Sequence, residues 1–329
     1  TQGQPVTVGE LVADRFGPVA LDRLVAPVVA GVHSADPNDV DIDKIAPGLL
    51  DKAIQRGSVA KAVADMRAAA PPGAAVKTLP GGMHRLIQRL LEALEGRADV
   101  HLGTRVTSLD PQSKTITTDT DEHLTADQVI LAVDAPTAYD LLAPSTQLTQ
   151  RPEHGTGVSL VVCVLDAPGL DNHPRGTGML VSPAVTDVQA KAATHDTAKW
   201  AWAAKAATKL AEHRHVIRLS YGRVTDQPDG SAPGYDTPDV ELLTMATQDV
   251  AAMFGLHPQA LHTGVVASKI VRWRDAMPLT TSDNAARIRA VAHAAQTTNW
   301  IQVTGAWFAG TGLAAITQHV TGLALNPVQ

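Results

Sequence analysis

The sequence is poor in cysteine, in aromatic side chains and in net positive charge. One cysteine among 329 residues, Cys163, rules out an internal disulfide and suits a reducing compartment. Aromatics amount to 3% while alanine is abundant, so helix contacts are expected to be thin. A net charge of −6 gives no electrostatic basis for nucleic-acid binding. No apolar run approaches a bilayer span, and no secretory pattern follows Thr1. Also missing are a complete G-x-G-x-x-G, a G-x-S-x-G nucleophile turn, a His-Glu-x-x-His zinc helix, internal repeats and low-complexity tracts. The 13 histidines are scattered. His213-Arg-His215 has no matching carboxylate or thiol set, so the pair is expected in a solvated loop and no metal site is expected. What is present, 44% hydrophobic and 18% charged residues, describes a globular chain of two or three units.

The most informative stretch runs from Trp300 to Ile316. Ile301 and Val303 mark a buried strand, a loop with Gly305, Gly310 and Gly312 follows, and helical spacing runs from Leu313 to Leu325. Strand, glycine loop and helix present backbone N–H groups to an anion such as a phosphate. A first dinucleotide-binding unit needs an acidic residue on a following strand to hold the ribose, and none follows here. The segment therefore reads as the second half of a dinucleotide cradle.

Upstream, residues 5–70 read as helical. Thr7 and Glu10 form a capping box, Pro18–Val29 is a second helix, Ala30–Asn38 a loop, Lys44–Arg56 a third helix, and Ser58 caps a fourth with Val59, Ala62, Val63 and Met66 inward. Pro71-Pro-Gly-Ala-Ala75 marks a boundary. A helix over His84–Leu94 precedes strands at Val100–Leu102, Arg105–Leu109, Thr115–Thr118 and Gln128–Val133, the last followed by a helix. Further strands are expected at Val158–Leu165, Gly178–Val181, Ala190–Thr194, His215–Ser220 and Gly264–Trp273. Helices are expected at Pro238–Phe254, with Thr237 as cap, and at Arg287–Ala295. Cys163, inside an apolar strand, reads as a small core residue.

This ordered set resembles the flavin-dependent protoporphyrinogen and coproporphyrinogen oxidases, within the amine-oxidase-like flavoproteins, over nearly the whole chain. The resemblance is carried by Thr7-Val-Gly-Glu-Leu-Val, Leu24-Val-Ala-Pro-Val-Val-Ala-Gly-Val-His-Ser-Ala-Asp-Pro37 and Leu79-Pro-Gly-Gly-Met83. It continues through Gly176-Thr-Gly-Met-Leu-Val181, Ala190–Trp200, Leu219-Ser-Tyr-Gly-Arg223, Arg272-Trp-Arg-Asp-Ala-Met-Pro278 and the terminal glycine loop. Two departures stand out. The strand–GxGxxG–helix unit with which the family opens is missing, so the chain looks like an N-terminally truncated form with weakened FAD affinity. Ser282-Asp283-Asn284 stands where the family usually has a Gly-His pair beside the flavin.

The resemblance implies an α/β FAD/NAD(P)-binding fold of the p-hydroxybenzoate-hydroxylase type, with a mixed-sheet substrate domain and a helical domain but without the N-terminal Rossmann unit. Its segments would be a helical domain at 1–73, FAD-binding segments at 74–150 and 276–329, and a substrate domain at 151–275. The implied reaction is oxygen-dependent oxidation of coproporphyrinogen III to coproporphyrin III in haem biosynthesis. The alternatives are protoporphyrinogen IX oxidation, another flavin amine oxidase or desaturase, and a non-catalytic remnant or subunit completed by a partner chain. FAD would be met by Val106, Ala132, Val133, Gly305, Gly310, Thr311, Gly312 and Leu313. Gly81 and Gly82 serve either the cofactor or the start of a helix. The macrocycle would be met by Thr177, Gly178, Leu180, Ala192 and Ser220, with Lys191, Lys199 or Arg223 as candidate cations for its carboxylates. No catalytic side chain is implied, because the flavin performs the hard step. Partners would be the porphyrinogen, molecular oxygen and a later enzyme of haem synthesis. A cytoplasmic location is expected, with peripheral membrane attachment left open, since the helical region shows no basic amphipathic stripe.

Overall fold

The structure, a computed structural model, describes residues 6–33, 36–69, 76–222, 232–257, 264–277, 279 and 281–323. In chain order its strands are β1 (Val106–Asp110), β2 (Thr115–Thr118), β3 (His123–Thr125), β4 (Val129–Leu131), β5 (Thr156–Asp166), β6 (Gly178–Leu180), β7 (Ala192–His195), β8 (Arg214–Tyr221), β9 (Val265–Met277) and β10 (Ile301–Val303). The chain divides into one unit formed by residues 1–93 and 158–273 and another formed by 94–157 and 274–329. No described helix is long and apolar enough to cross a membrane.

The first unit contains a helical layer and a five-stranded sheet in the order β6-β7-β8-β5-β9. The helix Val8–Phe16 starts on the capping box expected at Thr7 and Glu10, with both reciprocal hydrogen bonds formed. After Pro18–Ala20 the chain stays helical to His33, through π-helical turns at Leu21–Val25 and Val29–His33. The second helix is thus longer than its apolar spacing suggested: Pro27 removes a backbone donor inside it, and the wider turns absorb the loss. The expected helix over Lys44–Arg56 is two, Ile42–Ile45 and Leu49–Arg56, because Gly48 takes φ +74° between them. Val63, expected inside, is 47% exposed, while Ala62 is fully buried.

The sheet obeys strict alternation. Along β8, His215, Ile217, Leu219 and Tyr221 are buried while Arg214, Val216, Arg218 and Ser220 are half-buried on the other face. The buried face joins Val161, Cys163 and Leu165 of β5 and the helix Asp239–Phe254 in one core. Burial pushes the Cys163 thiol up to about 11, which leaves it protonated and inert. Asp249, buried in the same core, accepts from the backbone N–H groups of Gln189 and Ala190 and from the Tyr221 hydroxyl. The expected Thr237 cap does not form. Its hydroxyl accepts instead from Gly234 N at 2.8 Å, and Pro238 occupies the cap position.

In the second unit, β1-β2-β3 form an antiparallel sheet, and β4 and β10 pair in parallel. Val100–Leu102 is irregular, and β3 was not anticipated. The core joins Leu131, Leu141, Leu142, Val291, Ala295, Ile301 and Val303 around Trp300, whose indole N–H donates to Ala126 O at 2.8 Å. The helix that follows β10 spans Leu313–Thr321, and the bend before it holds a short helix, Ala306–Ala309.

Candidate functional site

β4 and β10 run side by side in the register Val129↔Ile301, Ile130↔Gln302 and Leu131↔Val303, so both chains leave the pair at the same end. In parallel sheets ligands bind at that end, beyond the carboxyl termini of the strands. The residues following the two strands, Ala132 and Val133 after β4 and Gly305 after β10, line one cleft of about 210 Å³. Thr304 N donates to Leu131 O and the Trp307 indole to Val133 O, stitching the two strand exits together. Asp134 faces the cleft from the start of the helix Ala135–Leu142, but its carboxylate is engaged by the backbone and hydroxyl of Thr137.

The cleft also has a polar lining that includes Glu153, Asp275 and Asn284. Asn284 is 1% exposed. Its carboxamide accepts from Glu153 N at 2.8 Å and donates to Leu279 O at 3.0 Å, near the capped start of the helix Ser282–Thr297. Asp275 accepts from Gly155 N at 2.7 Å and lies 3.0 Å from His154 Nδ1. Arg287 pairs with Glu153 at 2.6 Å. Sequence reading named none of these residues as site-forming. The available signal was the Thr281/Asn284 spacing of a helix cap, at the position where the resemblance breaks.

The glycine bend follows. Gly305, Gly310 and Gly312 have φ/ψ of +133°/172°, +101°/158° and +100°/151°, a region essentially reserved for glycine. A Cβ on Gly312 would meet nothing within 4 Å, so the backbone faces open space. No side chain caps the helix Leu313–Thr321, leaving its first N–H groups for an external acceptor. His319 fixes that helix to β10 through Val303 O at 3.2 Å. Glycine-only backbone, open space and uncapped N–H groups fit the anionic portion of a dinucleotide. Gly310, Thr311, Gly312 and Leu313 thus lie together on an exposed bend beside the cleft-lining Gly305. Val106 is not among the residues lining that cleft and is 38% exposed at the start of the edge strand β1.

In the first unit, the expected macrocycle residues fall into register. Leu180 pairs with Ala192, Ala192 with Ser220, and Ser220 with Leu160, forming one rung across four strands. Gly31 of the helical layer reaches this rung, since a Cβ there would stand 2.9 Å from Leu180 Cδ2. Gly178 pairs with Thr194, and a Cβ on it would collide with the Ala193 carbonyl, so close strand packing accounts for the glycine. Thr177 is exposed, and its carbonyl accepts from His195 N. Gly81 and Gly82 take φ +90° and +104° in the turn before the helix His84–Leu94, where Gly82 N donates to Leu79 O. Of the candidate cations, Lys191 is 3% exposed, Lys199 lies 5.3 Å above the Trp200 ring, and Arg223 falls outside the described residues.

Of the histidine pair, His213 does lie in a turn, its side chain 41% exposed, whereas His215 is buried. His215 sits on the buried face of β8, with Nδ1 3.1 Å from His195 Nε2 and Nε2 3.0 Å from Asp171, which also meets His213 at 2.8 Å. At His215, strand alternation overrode the polar character of the side chain. Burial, reinforced by His215 and His173, lowers the His195 pKa to about 4, so the ring is neutral. No group of three or more described His, Cys, Asp or Glu residues is arranged to hold a metal ion.

Comparison with known proteins gives the geometry its context. The family model of flavin containing amine oxidoreductases matches residues 6–318. A coproporphyrinogen III oxidase of Mycobacterium leprae is 32% identical over 282 residues, covering 84% of this chain and 57% of the relative. Its Mycobacterium tuberculosis counterpart is 31% identical over 280 residues, covering 84% and 56%. The chain thus spans about half the length of these curated relatives. A solved structure from Exiguobacterium sp. 255-15, provisionally named a protoporphyrinogen oxidase, superposes with a TM-score of 0.75 at 23% identity, covering 97% of this chain and 67% of that one. The α/β fold is therefore shared with that structure.

Proposed function

The chain belongs to the flavin-containing amine oxidoreductase family, and from that premise we propose that it binds FAD at the β4/β10 cleft and takes part in the oxygen-dependent oxidation of coproporphyrinogen III to coproporphyrin III. The observation that carries the reading is the union of the strand-end cleft with three glycines whose backbone no other residue adopts comfortably. Ala132, Val133 and Gly305 border the cofactor, while the N–H groups from Leu313 onward take its diphosphate.

Bound there, FAD supplies acceptance of two electrons at a time and their transfer to oxygen, each cycle yielding one hydrogen peroxide. The protein's own residues bind, orient and exclude water. Leu180, Ala192, Ser220 and Leu160 form the mainly apolar wall against which the macrocycle rests. Asn284 and Asp275 hold part of the cleft lining by fixing the 153–155 backbone. The porphyrinogen and oxygen are the partners this reading assigns.

The test is turnover. The chain is supplied with FAD and freshly reduced coproporphyrinogen III, and porphyrin fluorescence and peroxide are followed together. Peroxide and porphyrin rising in constant ratio above the spontaneous rate support the reading. A rate equal to that without protein refutes it. Protoporphyrinogen IX in the same assay decides between the two substrates.

A further inference from the structure

Beside the macrocycle wall of the first unit lies a cleft for which the proposed reaction has not yet given a role. Arg218 stands two residues from Ser220 on β8 and pairs across the sheet with Thr194, so its side chain shares the face of Ala192 and Ser220. On the same unit, a cleft of about 440 Å³ opens onto Arg218, a size typical of small-molecule sites. Its walls are mainly apolar and include Trp200, Trp202, Met83, Val164, Val216 and Leu210. Met83 is 46% and Leu210 74% exposed, an apolar surface left to solvent.

The polar groups in the cleft differ in how far they are committed. Arg214 is fully engaged, donating through Nε and Nη2 to both Asp166 oxygens at 2.7 Å each. Arg218 is not: among the described residues its one ion-pair contact is Asp196 at 3.9 Å, too long for a hydrogen bond. Lys199, above the Trp200 ring, adds a second positive charge nearby. Trp202 Nε1 is buried without a hydrogen-bond acceptor among the described residues. Asp196 is the one acidic residue among the described residues lining the cleft. Burial pushes its carboxyl above the usual range, an effect that Arg218 and Lys199 counter.

We propose that this cleft receives a carboxylate-bearing edge of the macrocycle, with Trp200 and Trp202 packing on the ring system and Arg218 taking the carboxylate. The inference rests on the porphyrinogen reading and deepens it. It places the anion-recognising cation at Arg218 instead of at buried Lys191. A guanidinium held at the limit of an ion pair can turn to a bidentate carboxylate at little cost, and that carboxylate then competes with Asp196 for it.

The competition gives a test with opposite signs. Coproporphyrin III and its uncharged tetramethyl ester are titrated against the chain, and binding is read from the porphyrin absorbance. Arg218→Gln is expected to weaken coproporphyrin binding about tenfold and to leave the ester unchanged. Asp196→Asn is expected to tighten coproporphyrin binding, and Trp202→Ala to weaken both ligands alike. If Arg218→Gln does not fold, as judged by circular dichroism, Asp196→Asn decides alone. Unchanged coproporphyrin affinity in the folded variants, or equal loss for the ester in Arg218→Gln, overturns the proposal. Turnover by the wild-type chain and by Arg218→Gln separates this from the broader reading. Oxidation that ignores Arg218 defeats only the present inference, and Arg218-dependent binding without oxidation defeats only the enzymatic one.

Discussion

Replacing Gly312 by alanine isolates the contribution of the glycine bend. The residue has φ/ψ of +100°/151°, and a Cβ there touches nothing within 4 Å, so the substitution introduces backbone strain without a clash. Holding a non-glycine residue in that region costs about 1–3 kcal/mol. If the bend relaxes to escape the strain, the N–H array from Leu313 onward is lost. A population penalty of that size reduces apparent flavin affinity about 5- to 150-fold. The matched control is Gly17→Ala in the other unit, where φ/ψ of +86°/162° and equally open surroundings impose comparable strain far along the chain from the bend. Both variants are expected to melt several degrees lower by circular dichroism. Only Gly312→Ala is expected to weaken FAD binding, measured by quenching of flavin fluorescence. Equal flavin affinity in wild type and Gly312→Ala, with the melting point lowered, would show that the bend serves the fold alone and refute the reasoning.

Three further outcomes are expected. His195 titrates near 4 when folded and near 6.5 when unfolded, so the unfolded chain binds the extra proton between these values. Its contribution is complete above about pH 6.5 and is lost as the pH falls toward 4, to about 3 kcal/mol, and urea unfolding at pH 7 and 4.5 should show a smaller loss for His195→Leu than for wild type. Asn284→Ala strands Glu153 N and Leu279 O beside the cleft and should cost about 2 kcal/mol by the same measurement while also weakening FAD. Asp249→Ala removes the acceptor of two backbone N–H groups and the Tyr221 hydroxyl, costing about 3 kcal/mol or more; a loss below about 1 kcal/mol would show that water replaces the carboxylate.

Where local chemistry decided the structure, the sequence was readable. The capping box at Thr7, the helix His84–Leu94, the alternation along β8 and the strand–glycine–helix order after Trp300 all follow from spacing and side-chain type. The rung Leu180–Ala192–Ser220 was visible as motifs but not as a rung, because strand register is a tertiary property. The π-helical turns around Pro27 were hidden because apolar periodicity assumes a 3.6-residue turn. His215 was misjudged because polar type was weighed above strand parity, and it meets the His195 ring inside the sheet. Asn284 escaped notice because its role is to bind backbone 131 residues away.

The central claim is that the β4/β10 cleft and its glycine bend form a flavin site. Equilibrium dialysis of the purified chain against FAD, read by visible absorbance of the retained protein, tests it most directly. The account predicts a saturable yellow complex of one flavin per chain. A protein that stays colourless at excess FAD would contradict it.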